Sequence, residues 1–217
     1  MAQFQAVGTL ACAALAALIL TGCQGGEAAP ADPSSSAPAS GSASASATAS
    51  ASPTPETPEP SPASADGPAV NIPVPEKPEL TDENTAEGLE AFTEWWFELV
   101  SYGYVMNDIA PMNAVTDPGC GTCQNIQQSI SEVYADKGWM SGGELTIDTF
   151  DTSFEETLDG SIDSYVTNKQ ASISVYSASG DLLNEIDAIV DEEASLTRAY
   201  YADGSWLMVD YGLIGVD

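Results

Sequence analysis

Residues 84–108 read NTAEGLEAFTEWWFELVSYGYVMND, and the fold class turns on this stretch. Leu89, Phe92, Trp96 and Leu99 recur at intervals of three and four, the period of one helix face. Trp95 widens that face, and Gly103 falls on the same stripe, where a missing side chain permits close packing. Asn84 with Glu87 three residues on has the form of an N-cap and its capping-box partner. The pattern predicts one long amphipathic helix ending near Met106.

Downstream, Asn107 or Asp108 can cap a short second helix, with Pro111 tolerated in its first turn. Asp117-Pro118-Gly119 stops it. A third helix is expected from Gly121 to Lys137, with Cys123, Ile126, Ile130, Val133 and Tyr134 on one face. Lys137 complements the negative helix end and Gly138 suits the C′ position. The period then switches to two. Leu145, Ile147 and Thr149 alternate with polar residues, as do Ala171, Ile173 and Val175. So do Ile186, Ala188 and Val190, continuing through Ala194, Leu196 and Arg198. Trp206, Met208 and Asp210 alternate against Leu207, Val209 and Tyr211, after the tight-turn pair Asp203-Gly204. Helices followed by strands give an α+β fold. The expectation is three N-terminal helices packed on a curved antiparallel sheet of about four strands, over residues 76–217.

Upstream the composition changes. Residues 23–75 are Ala, Ser, Pro, Thr and Gly with scattered acids, too poor in apolar side chains to offset chain entropy. This stretch reads as a disordered tether of about 40 Å as a coil, its Ser and Thr open to glycosylation. Before it, Ala6 to Leu20 is nearly unbroken apolar sequence. It is shorter than the roughly 20 residues a spanning helix needs and suits a signal peptide over residues 1–22. Leu20-Thr21-Gly22-Cys23 follows and resembles the bacterial lipobox at all four positions. Cleavage after Gly22 would free Cys23 to carry a thioether-linked diacylglycerol, with palmitate-type chains. Met1 to Gln5 lack Lys and Arg, so either the α-amino group serves as the positive region or the true start lies upstream. An uncleaved membrane anchor is the alternative.

The chain of 217 residues has 33 acids, 4 basic residues and a formal net charge of -29. All but five of the acids fall after residue 75. Such a body is repelled by phosphate backbones and anionic lipid heads, which argues against nucleic-acid binding. There is no histidine, which removes Ser-His-Asp and Cys-His pairs and the usual zinc ligands.

Cys120 and Cys123 are the pair that a mature chain could keep for a disulfide. One helical turn would hold their Cα atoms about 5–6 Å apart, within disulfide range. The pair reads as a structural staple before the third helix, with thiol–disulfide exchange as the alternative. No proline follows Pro118, so no cis-proline faces the cysteines, and no strand of a thioredoxin unit precedes them. Asp148, Asp151, Glu155, Glu156, Asp159 and Asp163 form one acidic group, and Asp187, Asp191, Glu192 and Glu193 a second. Oxygen ligands could take calcium, but EF-hand spacing is absent and a solvated face is the simpler reading. Trp95, Trp96, Tyr102, Tyr104, Trp139, Phe150, Phe154 and Trp206 suit an aromatic interior or a pocket wall. Asp108 could pair with another acid for proton transfer, yet its position suits a helix cap better. No catalytic residue, metal or cofactor is assigned.

Glu87-Gly88 through Trp96, Asn107-Asp108, Cys120-Gly121-Thr122-Cys123, Ile130, Tyr134 and Asp203-Gly204-Ser205-Trp206 carry a family resemblance. The chain resembles actinobacterial lipoproteins known only as domain of unknown function 6318. Its element order is similar to the nuclear transport factor 2-like, or cystatin-like, cone. The resemblance implies a fold and a location, without an activity. The expected role is a lipid-anchored binding or interaction module on the extracytoplasmic face of the cell membrane, taking a small ligand or an envelope protein. The alternative is an envelope enzyme: a thiol–disulfide oxidoreductase at Cys120/Cys123, or a small cyclase- or isomerase-like catalyst.

Overall fold

A long helix needs a cap, and the chain supplies one at Thr85. Its hydroxyl accepts from the Gly88 backbone N–H at 3.0 Å and starts α1, Ala86–Met106. The expected cap was Asn84, one residue early. A computed structural model describes residues 58–190 and 193–213. The expected signal peptide, the Gly22–Cys23 junction and the tether as far as residue 57 lie outside the described residues.

The apolar stripe of α1 is buried as expected, and Leu89, Phe92, Trp96, Phe97, Leu99 and Val100 are at most 1% exposed. Asn107, in the left-handed region at φ 54°, ends the helix. The second helix, α2, is Ala110–Asn113, and its N-cap is Ile109, without a side-chain cap bond, rather than Asn107 or Asp108; Asp108, one residue earlier, accepts from the Ala110 N–H at 3.1 Å. The third helix, α3, is Gly121–Ala135. Its C-terminal turn differs from expectation. Lys137 takes the left-handed conformation at φ 60°. Gly138 instead allows close approach, since a Cβ there would lie 2.5 Å from the Tyr176 carbonyl oxygen.

Gly88 is needed for the same reason. A 3-10 turn, Glu79–Asp82, runs alongside α1. A Cβ on Gly88 would sit 2.1 Å from the Glu83 carbonyl oxygen. At Gly103 the added atom would meet Ile130 at 3.5 Å, an ordinary contact. Gly88→Ala is therefore expected to lose about 1–3 kcal/mol by overpacking while Gly103→Ala stays near neutral. Urea unfolding of both variants checks this, and equal losses would contradict it.

Eight strands are found among the described residues, not about four. They are β1 Trp139–Gly142, β2 Leu145–Asp151, β3 Ile162–Gln170, β4 Ile173–Tyr176, β5 Leu182–Ile186, β6 Ile189–Val190, β7 Ser195–Ala202 and β8 Ser205–Leu213. The antiparallel order β1-β4-β5 forms one sheet, and β2-β3-β7-β8 forms a second, with β6 beside β3. Together with the helices this is an α+β fold. The expected run from Ile186 to Arg198 is split into the end of β5, β6 and β7. On β7 the deeply buried residues are Ser195, Thr197 and Ala199, not Leu196 and Arg198.

Two bulges explain the remaining differences. A register shift between Ile147 and Thr149 leaves Thr149 exposed and turns Phe150 toward the core. A shift between Arg198 and Ala199 against β8 places Tyr211, rather than Asp210, with Trp206 and Met208 against the core. The domain also begins earlier than residue 76. Ser61 and Val70 bridge, the Trp139 indole donates to the Ser64 carbonyl at 2.8 Å, and the Trp95 indole donates to the Pro75 carbonyl at 3.2 Å. Residues 58–75 thus hydrogen-bond to the domain they were expected to tether. No helix among the described residues is long and apolar enough to cross a membrane.

Candidate ligand pocket

Strand β3 carries the site. Its buried positions are Ile162, Ser164, Val166 and Asn168, the alternation of one strand face. The first three are satisfied: Ile162 and Val166 join the core cluster, and Ser164 Oγ shares a hydrogen bond with Thr197 Oγ1 at 2.6 Å. Asn168 continues the stripe with a carboxamide. It is 3% exposed, and its Oδ1 is buried without a hydrogen-bond partner, alone in this among the described residues.

Asn168 lines a cavity of about 460 Å³. Trp96, Val100 and Tyr104 of α1 and Ile126 of α3 form its apolar side. Gln170, Ser195 and Thr122 add polar groups, and among the described residues no Asp, Glu, Lys or Arg lines it. Burial pushes the Tyr104 phenol up from its ordinary pKa, with a hydrogen bond from the Gln170 side chain acting the other way. The lining can therefore hold an apolar body and satisfy one or two of its polar groups. The volume falls within the range of small-molecule sites, about 300–1,000 Å³.

A second cavity of about 660 Å³ lies between residues 62–75, α1 and the β1–β2 corner. It is lined by Glu94, Glu98 and Glu144 as well as by apolar groups such as Pro73 and Ile147. Burial raises the Glu98 carboxyl above its ordinary value, and the neighbouring Glu94 charge adds to the shift.

The residues singled out in the sequence lie elsewhere. Cys120 and Cys123 are at disulfide distance, Cα to Cα 5.3 Å, at the start of α3, and each is 1% exposed. Asp163 is held by Arg198 through contacts of 2.6 and 3.1 Å, and Asp148 pairs with Lys169. Hydrogen bonds from Ser161 and Thr157 hold the Asp159 carboxyl well below the usual carboxylate range. Asp191 and Glu192 lie outside the described residues. Among the described residues no group of three His, Cys, Asp or Glu side chains is placed to hold a metal ion. Asp108 accepts from the Tyr102 hydroxyl at 3.3 Å in addition to the Ala110 N–H. The aromatic residues divide between the pocket wall, with Trp96 and Tyr104, and packed groups such as Trp206 with Phe92, Phe154 and Tyr201. Asn168 was missed because β3 was not recognised. The available signal was Ile162, Ser164 and Val166 at a spacing of two, leading to it.

The profile of a family of unknown function (DUF6318) matches residues 58–211. The chain belongs to this family. The DUF6318 match covers the segment before α1 that hydrogen-bonds to the domain and includes every residue lining the pocket except Gly212. No curated protein matches the chain. Among solved structures, the intermembrane space region of the chloroplast protein ARC6 is similar at 12% identity and TM-score 0.39, covering 59% of this chain and 95% of that one. A putative calcium/calmodulin dependent protein kinase II association domain from Xanthomonas campestris is similar at 12% identity and TM-score 0.35, covering 67% and 99%. ActVI-ORFA from Streptomyces coelicolor is similar at 15% identity and TM-score 0.34, covering 57% and 94%.

Proposed function

We propose that this protein is a lipid-anchored extracytoplasmic binding module that captures a small uncharged molecule at the Asn168 pocket. We read the five-stranded sheet and its helices as a cone with this pocket at its mouth. Anchoring rests on the lipobox at Leu20-Thr21-Gly22-Cys23 and the Ala/Ser/Pro-rich stretch behind it.

The observation that carries the reading is the unpartnered Asn168 Oδ1. A buried acceptor left unsatisfied costs about 1–3 kcal/mol. A ligand hydroxyl or N–H would remove that cost on binding, and an analogue without the donor would not. The uncharged, partly aromatic wall selects against ions and favours a flat apolar body. Turnover is less well supported than binding. Among the described residues the pocket holds no carboxylate or lysine to act as a base. The cysteine pair is too buried to meet a protein disulfide.

The test uses Asn168→Leu in the full chain, with 2-naphthol as a neutral hydroxylated probe. The variant is expected to match or exceed the wild-type melting temperature, since the orphan acceptor is gone, and to lose the melting shift that 2-naphthol gives the wild type. An equal shift in both proteins, or a strongly destabilised variant, would remove Asn168 from the reading.

A further inference from the structure

We propose that β5 is a docking edge for an extended, cationic segment of a second protein. Strand β5 hydrogen-bonds to β4 on one side and ends the order β1-β4-β5, so its other edge is unpaired among the described residues. All five of its residues are exposed. Leu182 is 53%, Leu183 66% and Ile186 41% exposed, and just beyond the strand Ile189 is 43% and Val190 62% exposed. Half of the exposed large apolar side chains among the described residues thus fall within nine consecutive residues.

Edge strands of soluble proteins are usually blunted by lysine or proline. Residues 182–190 contain neither. The charges present are all negative: residues 170–197 hold six acids, Asp181, Glu185, Asp187, Asp191, Glu192 and Glu193, and no Lys or Arg. That pattern determines the occupant. A second copy would bring the same acids against Glu185 and its neighbours, and like charges across a strand pair are destabilising. Anionic lipid is repelled for the same reason. A segment alternating apolar residues with Lys or Arg would pair its backbone with the free edge, cover the leucines and meet the acids with opposite charge. The inference stands apart from the pocket, although Ile189 belongs to both surfaces.

The probe is a ten-residue peptide alternating Val and Lys, with alternate backbone nitrogens methylated so that it offers one pairing edge. The full chain is held in nanodiscs. Hydrogen exchange of the amides in residues 182–186 is expected to slow about tenfold on binding. Affinity should exceed that of the same peptide carrying Glu for Lys by about tenfold or more, and should fall with salt. Leu183→Asp should abolish the binding without lowering the melting temperature. Glu185→Lys with Asp187→Lys should reverse the preference toward the Glu peptide, which a merely structural role for these acids would not do. Equal affinity for the two peptides, or unprotected β5 amides in the complex, would overturn the proposal. So would self-association that buries residues 182–190, or vesicle binding that depends on Leu183.

Discussion

Trp96→Ala is expected to remove most of the stability of the domain. The side chain is fully buried and makes edge-on contacts with Phe97 at 5.4 Å and Tyr211 at 5.8 Å between ring centroids. Its indole N–H donates to Thr116 Oγ1 at 2.8 Å, and that hydroxyl donates in turn to the Met112 carbonyl at 2.7 Å. Thr116 also bridges to Met208 of β8. Trp96 therefore joins α1 to the loop after α2 and to the closing strand. Truncating a buried tryptophan costs about 3–5 kcal/mol, and the lost indole bond adds about 1 kcal/mol. Domains of this size hold about 5–15 kcal/mol in all. Trp96→Phe keeps much of the ring volume and should lose roughly half as much. Urea unfolding followed by far-ultraviolet circular dichroism measures both. A loss below about 1 kcal/mol for the alanine variant would mean that the joint between α1 and β8 is held by other residues.

The helices were legible because their signal is local. A stripe at three and four residues is visible whatever it packs against, and Leu89, Phe92, Trp96 and Leu99 all proved buried. Strands were harder wherever the period of two broke. One extra residue at a bulge reverses the phase, so strict alternation grouped Thr149 with Leu145 and Ile147, and Asp210 with Trp206 and Met208, where the structure places Phe150 and Tyr211. Strand β5 shows no alternation at all, because both of its faces are exposed. Strand β3 was missed for a reason tied to the site itself. Its inward face carries Ser164, Asn168 and, half-buried at its end, Gln170, polar residues that a hydrophobicity pattern assigns to solvent. Ser164 is matched by Thr197, whereas Asn168 Oδ1 has no partner among the described residues. The same polarity that makes β3 a candidate for binding concealed it from sequence reasoning. The cysteine pair was legible for the opposite reason, since spacing in one helical turn fixes its Cα separation without any tertiary information.

Cys23→Ala is expected to move the protein from the membrane pellet to the soluble fraction almost completely. Each buried CH₂ of an acyl chain contributes about 0.8 kcal/mol, and one chain gives only marginal binding, whereas two hold stably. The remainder of the chain offers little to replace them. A formal charge of -29 works against any anionic bilayer. The apolar run from Ala6 to Leu20 is shorter than the roughly 20 residues needed to span. The distinction from an uncleaved anchor is therefore sharp. If the apolar run holds the protein, the variant stays in the pellet with Met1 to Gly22 intact, and the lipid assignment fails. If Cys23 holds it, the wild-type N-terminal peptide begins at Cys23 with the added mass of a diacylglyceryl group, and the variant lacks that mass. Mass spectrometry of the two fractions reads both quantities at once.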